Sequence, residues 1–190
     1  MNLSYLYMKI NVEKNMEKQQ PLEIITPATN EQYNQVRQLI HAFLHWHGQR
    51  HAGTTLTSDY YDNHEFEQEL ANLPAKYGSG RNRLLLACYD GEPAGCVALR
   101  EVDKETCEMK RMFVYEQYHG KGIGQALAQA LIHEAKNMGY QVMKLNTGIR
   151  QTEAQKLYER IGFKSIAPYY TVPKQLEDWL VFMELQFDAC

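Results

Sequence analysis

Apolar residues recur at helical spacing early in the chain, at Tyr33, Val36, Leu39, Ile40, Phe43 and Leu44. That period predicts a helix with one buried face. It starts near Glu31, with Thr29 or Asn30 as its cap and a short strand, Leu22 to Thr26, ahead of it. The polar run from Gly48 to Asn63 predicts a loop, followed by a shorter helix from about His64 to Leu73. From Asn82 to Tyr115 the pattern shortens to that of three antiparallel strands, with turns at Asp90-Gly91 and from Asp103 to Thr106. A helix then runs from Gly122 to about Met138, with Ile123, Leu127, Leu131, Ala135 and Met138 facing inward. Next come a strand from Tyr140 to Thr147 and a helix from Gln151 that Gly162 closes. Two further strands are expected, Phe163 to Tyr170 and Trp179 to Phe187, with Val181, Met183, Leu185 and Phe187 alternating in the second. The strand–helix–strand from Glu108 to Thr147 should cross over in parallel. The expected class is α/β: a mixed, mostly antiparallel sheet with helices covering it, not a doubly wound one.

Composition narrows the function. The 190 residues are 44% hydrophobic and 23% charged with a net charge of −3, an ordinary globular balance without a basic field for nucleic acid. No apolar run approaches a membrane span. Residues 1–20 join no periodic pattern and read as a loosely ordered tail ahead of one domain over 21–190. Met16 is an alternative start. Cys88, Cys96, Cys107 and Cys190 form no CxxC pair, which fits free thiols in a reducing cytoplasm.

The chemistry centres on Gly120, Gly122 and Gly124, placed on alternate positions at a strand-to-helix junction. The spacing fails both the Walker loop and the dinucleotide fingerprint, since Gln125 stands where a third fingerprint glycine belongs. What remains is a glycine turn whose free helix N–H groups suit a pyrophosphate, or else a close strand–helix packing with no ligand. The preceding strand bears on that choice. Its apolar phase, Met109 then Met112 and Val114, slips by one between Lys110 and Arg111. Such a slip is what a β-bulge produces. A bulge would splay this strand from the one at 141–147 and leave backbone groups for an extended, amide-bearing ligand. A pyrophosphate followed by an extended chain of two amides describes coenzyme A.

These residues also carry a family resemblance. Gln117 to Gly122, followed by Ile123-Gly124, matches the Q/R-x-x-G-x-G/A motif of the GNAT superfamily of N-acetyltransferases. Ala154, Leu157, Tyr158, Glu159, Gly162 and Phe163 match its A-x-x-L-Y-E-x-x-G-F pattern. The likeness runs from about Leu22 to Phe187 and is nearest to a bacterial subgroup of small-molecule or uncharacterised acetyltransferases. The sequence departs from the pattern at His119, where Arg is usual, at Gln151, where Asn is frequent, and around Trp179.

The resemblance implies an enzyme that moves an acetyl group from acetyl-CoA directly to a primary amine of a small molecule or peptide. It implies neither metal, nucleic acid nor membrane, and it allows a homodimer. The coenzyme would lie along Met112, Phe113, Val114, His119, Gly120, Lys121, Gly122, Ile123, Gly124, Gln125, Asn146 and Gln151. Amine deprotonation falls to Glu108, otherwise a surface carboxylate; protonation of the leaving thiolate falls to Tyr158, otherwise a core residue. His41, His45, His47 and His51, with Trp46, Tyr169 and Tyr170, become candidates for contact with the acceptor; the histidines lack the glutamate of a zinc helix. The alternative class is a non-catalytic CoA-binding module, which would need neither Glu108 nor Tyr158.

Overall fold

In the central strands, Leu84, Leu86, Cys96 and Ala98 point to one side and Leu85, Ala87, Val97 and Leu99 to the other, and all are buried. A sheet apolar on both faces must be covered on both, and the computed structural model shows helices on each. It describes residues 22–50 and 63–187; the expected tail and Cys190 lie outside them. The elements run β1 (Leu22–Ile25), α1 (Asn30–Arg50), α2 (Asn63–Ala71), α3 (Leu73–Tyr77), β2 (Arg83–Tyr89), β3 (Glu92–Glu101) and β4 (Thr106–Val114). They continue with α4 (Ile123–Asn137), β5 (Val142–Gly148), α5 (Thr152–Ile161), β6 (Lys164–Ile166) and β7 (Leu180–Gln186). Helices α4 and α5 pack on one face and α1, α2 and α3 on the other.

The local chemistry explains each boundary. Thr29 Oγ1 accepts from the Gln32 N–H at 3.2 Å while Gln32 Oε1 accepts from the Thr29 N–H at 3.1 Å. This reciprocal capping box starts α1 at Asn30. The helix does not stop at Gly48, as the sequence suggested, but continues to Arg50. An interior glycine costs about 1 kcal/mol, and the aromatic packing of Phe43 and Trp46 against Phe113 opposes that cost. The rest of the expected loop, 51–62, lies outside the described residues. The single helix expected from His64 to Leu73 is two, because Pro74 cannot donate and restricts the residue before it. Asp90 and Gly91, at φ 56° and 82°, make the tight hairpin between β2 and β3.

The seven described strands lie in the order β1-β2-β3-β4-β5-β7-β6, and among them only the neighbours β4 and β5 are parallel. Strand β6 is shorter than expected. Pro168 ends it, and Tyr169 and Tyr170 leave the ladder to pack edge-on against Phe182, with ring centres 5.3 and 5.2 Å away. Phe182 is therefore buried as well, on the opposite face from its neighbour Met183.

The expected bulge is present. Cys96 pairs with Phe113 and Ala98 with Lys110, so three residue steps on β4 match two on β3. Arg111 takes φ 55° there, one of two described non-glycine residues at positive φ, which costs roughly 1–2 kcal/mol. Just ahead of the bulge β4 leaves β5: their pairing ends at Glu108 and Lys144, although the strands continue to Val114 and Gly148.

The bulge is also tightly packed from behind. A methyl group on Gly95, which pairs with Val114, would meet the Phe113 carbonyl oxygen at 2.7 Å and the Leu127 side chain at 3.2 Å. Gly95→Ala is therefore expected to destabilise the protein by about 1–3 kcal/mol, the cost of overpacking. Chemical denaturation would read this loss, and an unchanged midpoint would contradict the contact.

Candidate active site

The splayed edges of β4 and β5, the start of α4, and parts of α1 and α5 enclose a cleft of about 1120 Å³. That exceeds the ~300–1000 Å³ typical of a site for one small ligand. Its floor is backbone. Tyr115 N–H donates to Ala94 O on β3. By strand alternation the Phe113 N–H also faces β3, and those of Met112 and Val114 face the β5 side. The Val114 carbonyl follows the same phase and accepts from His119 Nε2 at 2.9 Å, which places the proton on that nitrogen.

At one end of the floor lies the start of α4. Gly122 precedes it in the left-handed region at φ 78°, as does Gly120 at 77°, and no side chain caps the helix. The first intrahelical bond is from Ala126 N–H to Gly122 O. The preceding N–H groups, Gly122 to Gln125, therefore have no helical acceptor. A Cβ on Gly120 or Gly122 would meet nothing within 4 Å. These two glycines serve the turn rather than a close contact, and they keep the surface above the free donors low. Gly124 differs, since it lies against Leu157 of α5.

Of the residues expected to hold the coenzyme, Met112, Phe113, Val114, His119, Gly120, Gly122, Ile123, Gly124, Gln125, Asn146 and Gln151 line the cleft. Lys121 does not: its ammonium sits 4.6 Å from the Tyr89 ring centre. Gln151 Oε1 is already engaged, accepting from Gly148 N–H at 2.9 Å and Thr147 Oγ1 at 2.6 Å. Tyr158 lines the cleft from α5, packs on Phe163, and is 5% exposed. Burial pushes its phenol up, so it stays protonated at ordinary pH.

Glu108 is not a surface carboxylate. It is 1% exposed and lies outside the cleft lining. Its Oε2 meets Arg100 at 2.6 Å and Lys110 at 3.6 Å, and its Oε1 accepts from Tyr169 at 2.7 Å and Asn146 Nδ2 at 3.4 Å. Only Asn146 and Lys110 of these partners also line the cleft. Trp46 and His47 line the wall from α1 beside Phe43, with Trp46 Nε1 donating to Glu116 at 2.9 Å. His41, His45, Tyr169 and Tyr170 do not reach the cleft, and His51 lies outside the described residues. Among the described residues no group of three or more His, Cys, Asp or Glu side chains is arranged to hold a metal ion. No described helix is long and apolar enough to cross a membrane.

One feature escaped the sequence pattern. Arg111 lies along the Glu69 carboxylate of α2 in a two-pronged bridge, Nε to Oε1 and Nη2 to Oε2 at 2.9 Å each. The Phe66 ring covers its guanidinium at 4.9 Å, and Glu69 also accepts from Lys76 and Tyr77. The only local signal for it was a charged residue at the slip in apolar phase.

The acetyltransferase (GNAT) family model matches residues 41–163. The chain belongs to that family. It is thus an acyltransferase with the expected mixed fold. An uncharacterised N-acetyltransferase of Schizosaccharomyces pombe is 36% identical over 109 residues, 56% of this chain and 67% of that protein. An acetyltransferase structure from Streptococcus agalactiae superposes with a TM-score of 0.69 at 18% identity, over 87% of this chain and 98% of that one. A Salmonella typhimurium protein, described as an acetyltransferase with its cofactor acetyl-CoA, superposes at 0.66 with 21% identity, over 90% and 96% of the chains. An uncharacterised N-acetyltransferase of Bacillus subtilis is 38% identical over 80 residues, 41% of this chain and 53% of that protein, so sequence relatives occur in eukaryotes as well as bacteria.

The Glu69 bridge has a pH signature. Burial would push its carboxyl up, but the hydrogen bonds and charges of Arg111 and Lys76 outweigh burial and hold it down at about 2, from an ordinary 4.5. A carboxyl lowered on folding adds stability that is complete above about pH 4.5 and lost as pH falls toward 2. The gap in melting temperature between wild type and Glu69→Gln should therefore be widest above pH 4.5 and narrow toward pH 2. A gap constant across that window would show that Glu69 carries no such linkage.

Proposed function

We propose that the protein moves an acetyl group from acetyl-CoA to the primary amine of a small molecule or peptide, directly within a ternary complex. The observation that carries this reading is the uncapped start of α4 opening onto the gap between β4 and β5. Free N–H groups and the helix dipole suit a pyrophosphate. The unpaired strand edge suits the amides of an extended arm. The Salmonella typhimurium structure with acetyl-CoA has the same fold, which supports the assignment.

The residues then divide the chemistry. The N–H groups of Gly122 to Gln125 hold the pyrophosphate, and those of Met112 and Val114 face the arm and the thioester oxygen. Negative charge develops on that oxygen as the amine attacks, and fixed N–H donors stabilise it. A lysine-like amine is protonated below about pH 10.4 and must first lose a proton. Glu108 takes it through water, since its carboxylate lies outside the cleft lining and is linked to it by Asn146. Tyr158, held protonated by burial, supplies the proton for the departing thiolate. Transfer needs no acyl-cysteine: Cys96 and Cys107 are buried, with thiols pushed up to about 12 by desolvation, and Cys88 lies outside the cleft. The acceptor amine enters past Phe43, Trp46 and His47.

Two variants test the assignment. Gly122→Asp places a carboxylate over the phosphate donors, in a left-handed conformation that aspartate can adopt. It is expected to abolish acetyl-CoA binding by calorimetry while the circular dichroism spectrum is kept, and unchanged affinity would overturn the phosphate cradle. Tyr158→Phe keeps the packing with Phe163 and should leave CoA affinity intact while kcat falls about 10²–10⁴-fold with a poorly reactive amine. A kcat within about twofold of wild type under chemistry-limited conditions would assign Tyr158 to the core.

A further inference from the structure

The bulge that aims the Met112 and Val114 N–H groups depends on a residue unsuited to its own conformation. Arg111 is β-carbon-bearing, sits at φ 55°, and occupies the extra step between Lys110 and Phe113. Flattening β4 at this point would remove the extra step. The phase of every later N–H would then reverse, turning Met112 and Val114 toward β3. Something must hold Arg111 there, and three contacts do. Its guanidinium forks onto Glu69 with both bonds at 2.9 Å, and the two side chains are 13% and 6% exposed. Phe66, one turn earlier on α2, lies under the same guanidinium. Cys96 Sγ reaches the Arg111 carbonyl oxygen at 3.4 Å from β3.

Glu69 is in turn fixed. Lys76 and the buried Tyr77 of α3 donate to it at 2.7 and 2.9 Å. Arg37 of α1 donates to Leu70 O at 2.7 Å, which ties the end of α2 to the first helix. Neither Glu69 nor these anchors line the cleft, whereas Arg111 does. The chain of contacts runs from a carboxylate outside the site to the backbone that meets the thioester.

We infer that Glu69 is a positioning residue: through its two-pronged bridge to Arg111 it holds the β4 bulge in the one register that presents backbone donors to the thioester carbonyl. This inference rests on the acetyl-CoA reading above. It makes the bridge part of carbonyl polarisation and not only of stability. Lysine at position 111 keeps a cation beside Glu69 but loses the planar fork, so it separates orientation from charge.

The test uses acetyl-CoA labelled with ¹³C at the thioester carbonyl, isotope-edited infrared spectroscopy and calorimetry on the wild type, Glu69→Gln and Arg111→Lys. Bound to the wild type, the carbonyl band should move to lower frequency than in free acetyl-CoA, as hydrogen bonding polarises it. In both variants most of that shift should be lost while the dissociation constant rises by no more than about tenfold, because the arm loses the Met112 and Val114 donors but the pyrophosphate contacts are untouched. With a reactive amine, kcat should fall about 10–100-fold, the scale of a misplaced oxyanion donor. Arg111→Lys keeps a buried ion pair and so serves if Glu69→Gln does not fold. A wild-type band shift retained in full by a folded variant overturns the positioning role. If acetyl-CoA does not bind the wild type, the acetyl-CoA reading falls and takes the inference with it.

Discussion

Three residue steps of β4 are matched to two of β3, and the cleft follows from that mismatch. The extra residue turns the strand away from β5, so their ladder stops at Glu108 and Lys144 and a cleft opens where a continuous sheet would have closed it. It also sets which backbone groups face the opening. The conformation that achieves this is unfavourable for arginine, and its cost is met by a buried ionic bridge from another layer of the molecule. Burying two charges is itself weak evidence of stabilisation. A fork that fits one geometry only is better understood as fixing a conformation.

The sequence exposed the parts of this arrangement that repeat locally. Met109, Met112 and Val114 betray the bulge because an extra residue shifts apolar phase. Gly120 and Gly122 mark the turn because left-handed backbone favours glycine. Gly48 misled for a related reason: it resembles a stop signal, yet the aromatic packing at Phe43 and Trp46 sustains the helix past it. The Glu69 bridge could not be read, since its partners are 42 residues apart and no local period relates them. Glu108 stands out by its place on the bulged strand, but nothing local signals its burial. That depends on Tyr169, 61 positions away, leaving its strand at Pro168 and folding back over the sheet.

Glu108 and Tyr169 also connect two regions that the topology separates. The segment between β6 and β7 passes over the sheet and is held there by the Tyr169 hydroxyl and by the edge-on packing of Tyr169 and Tyr170 against Phe182. Further along the same segment Leu176 and Trp179 line the cleft, as do Phe43 and Trp46 of α1. The buried Glu108 carboxylate thereby helps to fix a wall of the cleft. Lys110 shares both settings, lining the cleft while its ammonium lies 3.6 Å from Glu108.

The short parallel ladder has a mechanical consequence. Four strands on one side and three on the other are joined across the middle of the sheet by only three residue pairs, with α4 and α5 bracing one face. An extended chain of amides laid in the gap would add rungs to that seam and behave as a short strand for as long as it stayed. Whatever binds the native seam and not the unfolded chain raises the stability of the whole sheet by mass action. The cosubstrate would then act as a removable structural member, and each departure of the spent coenzyme would loosen the joint between the two halves.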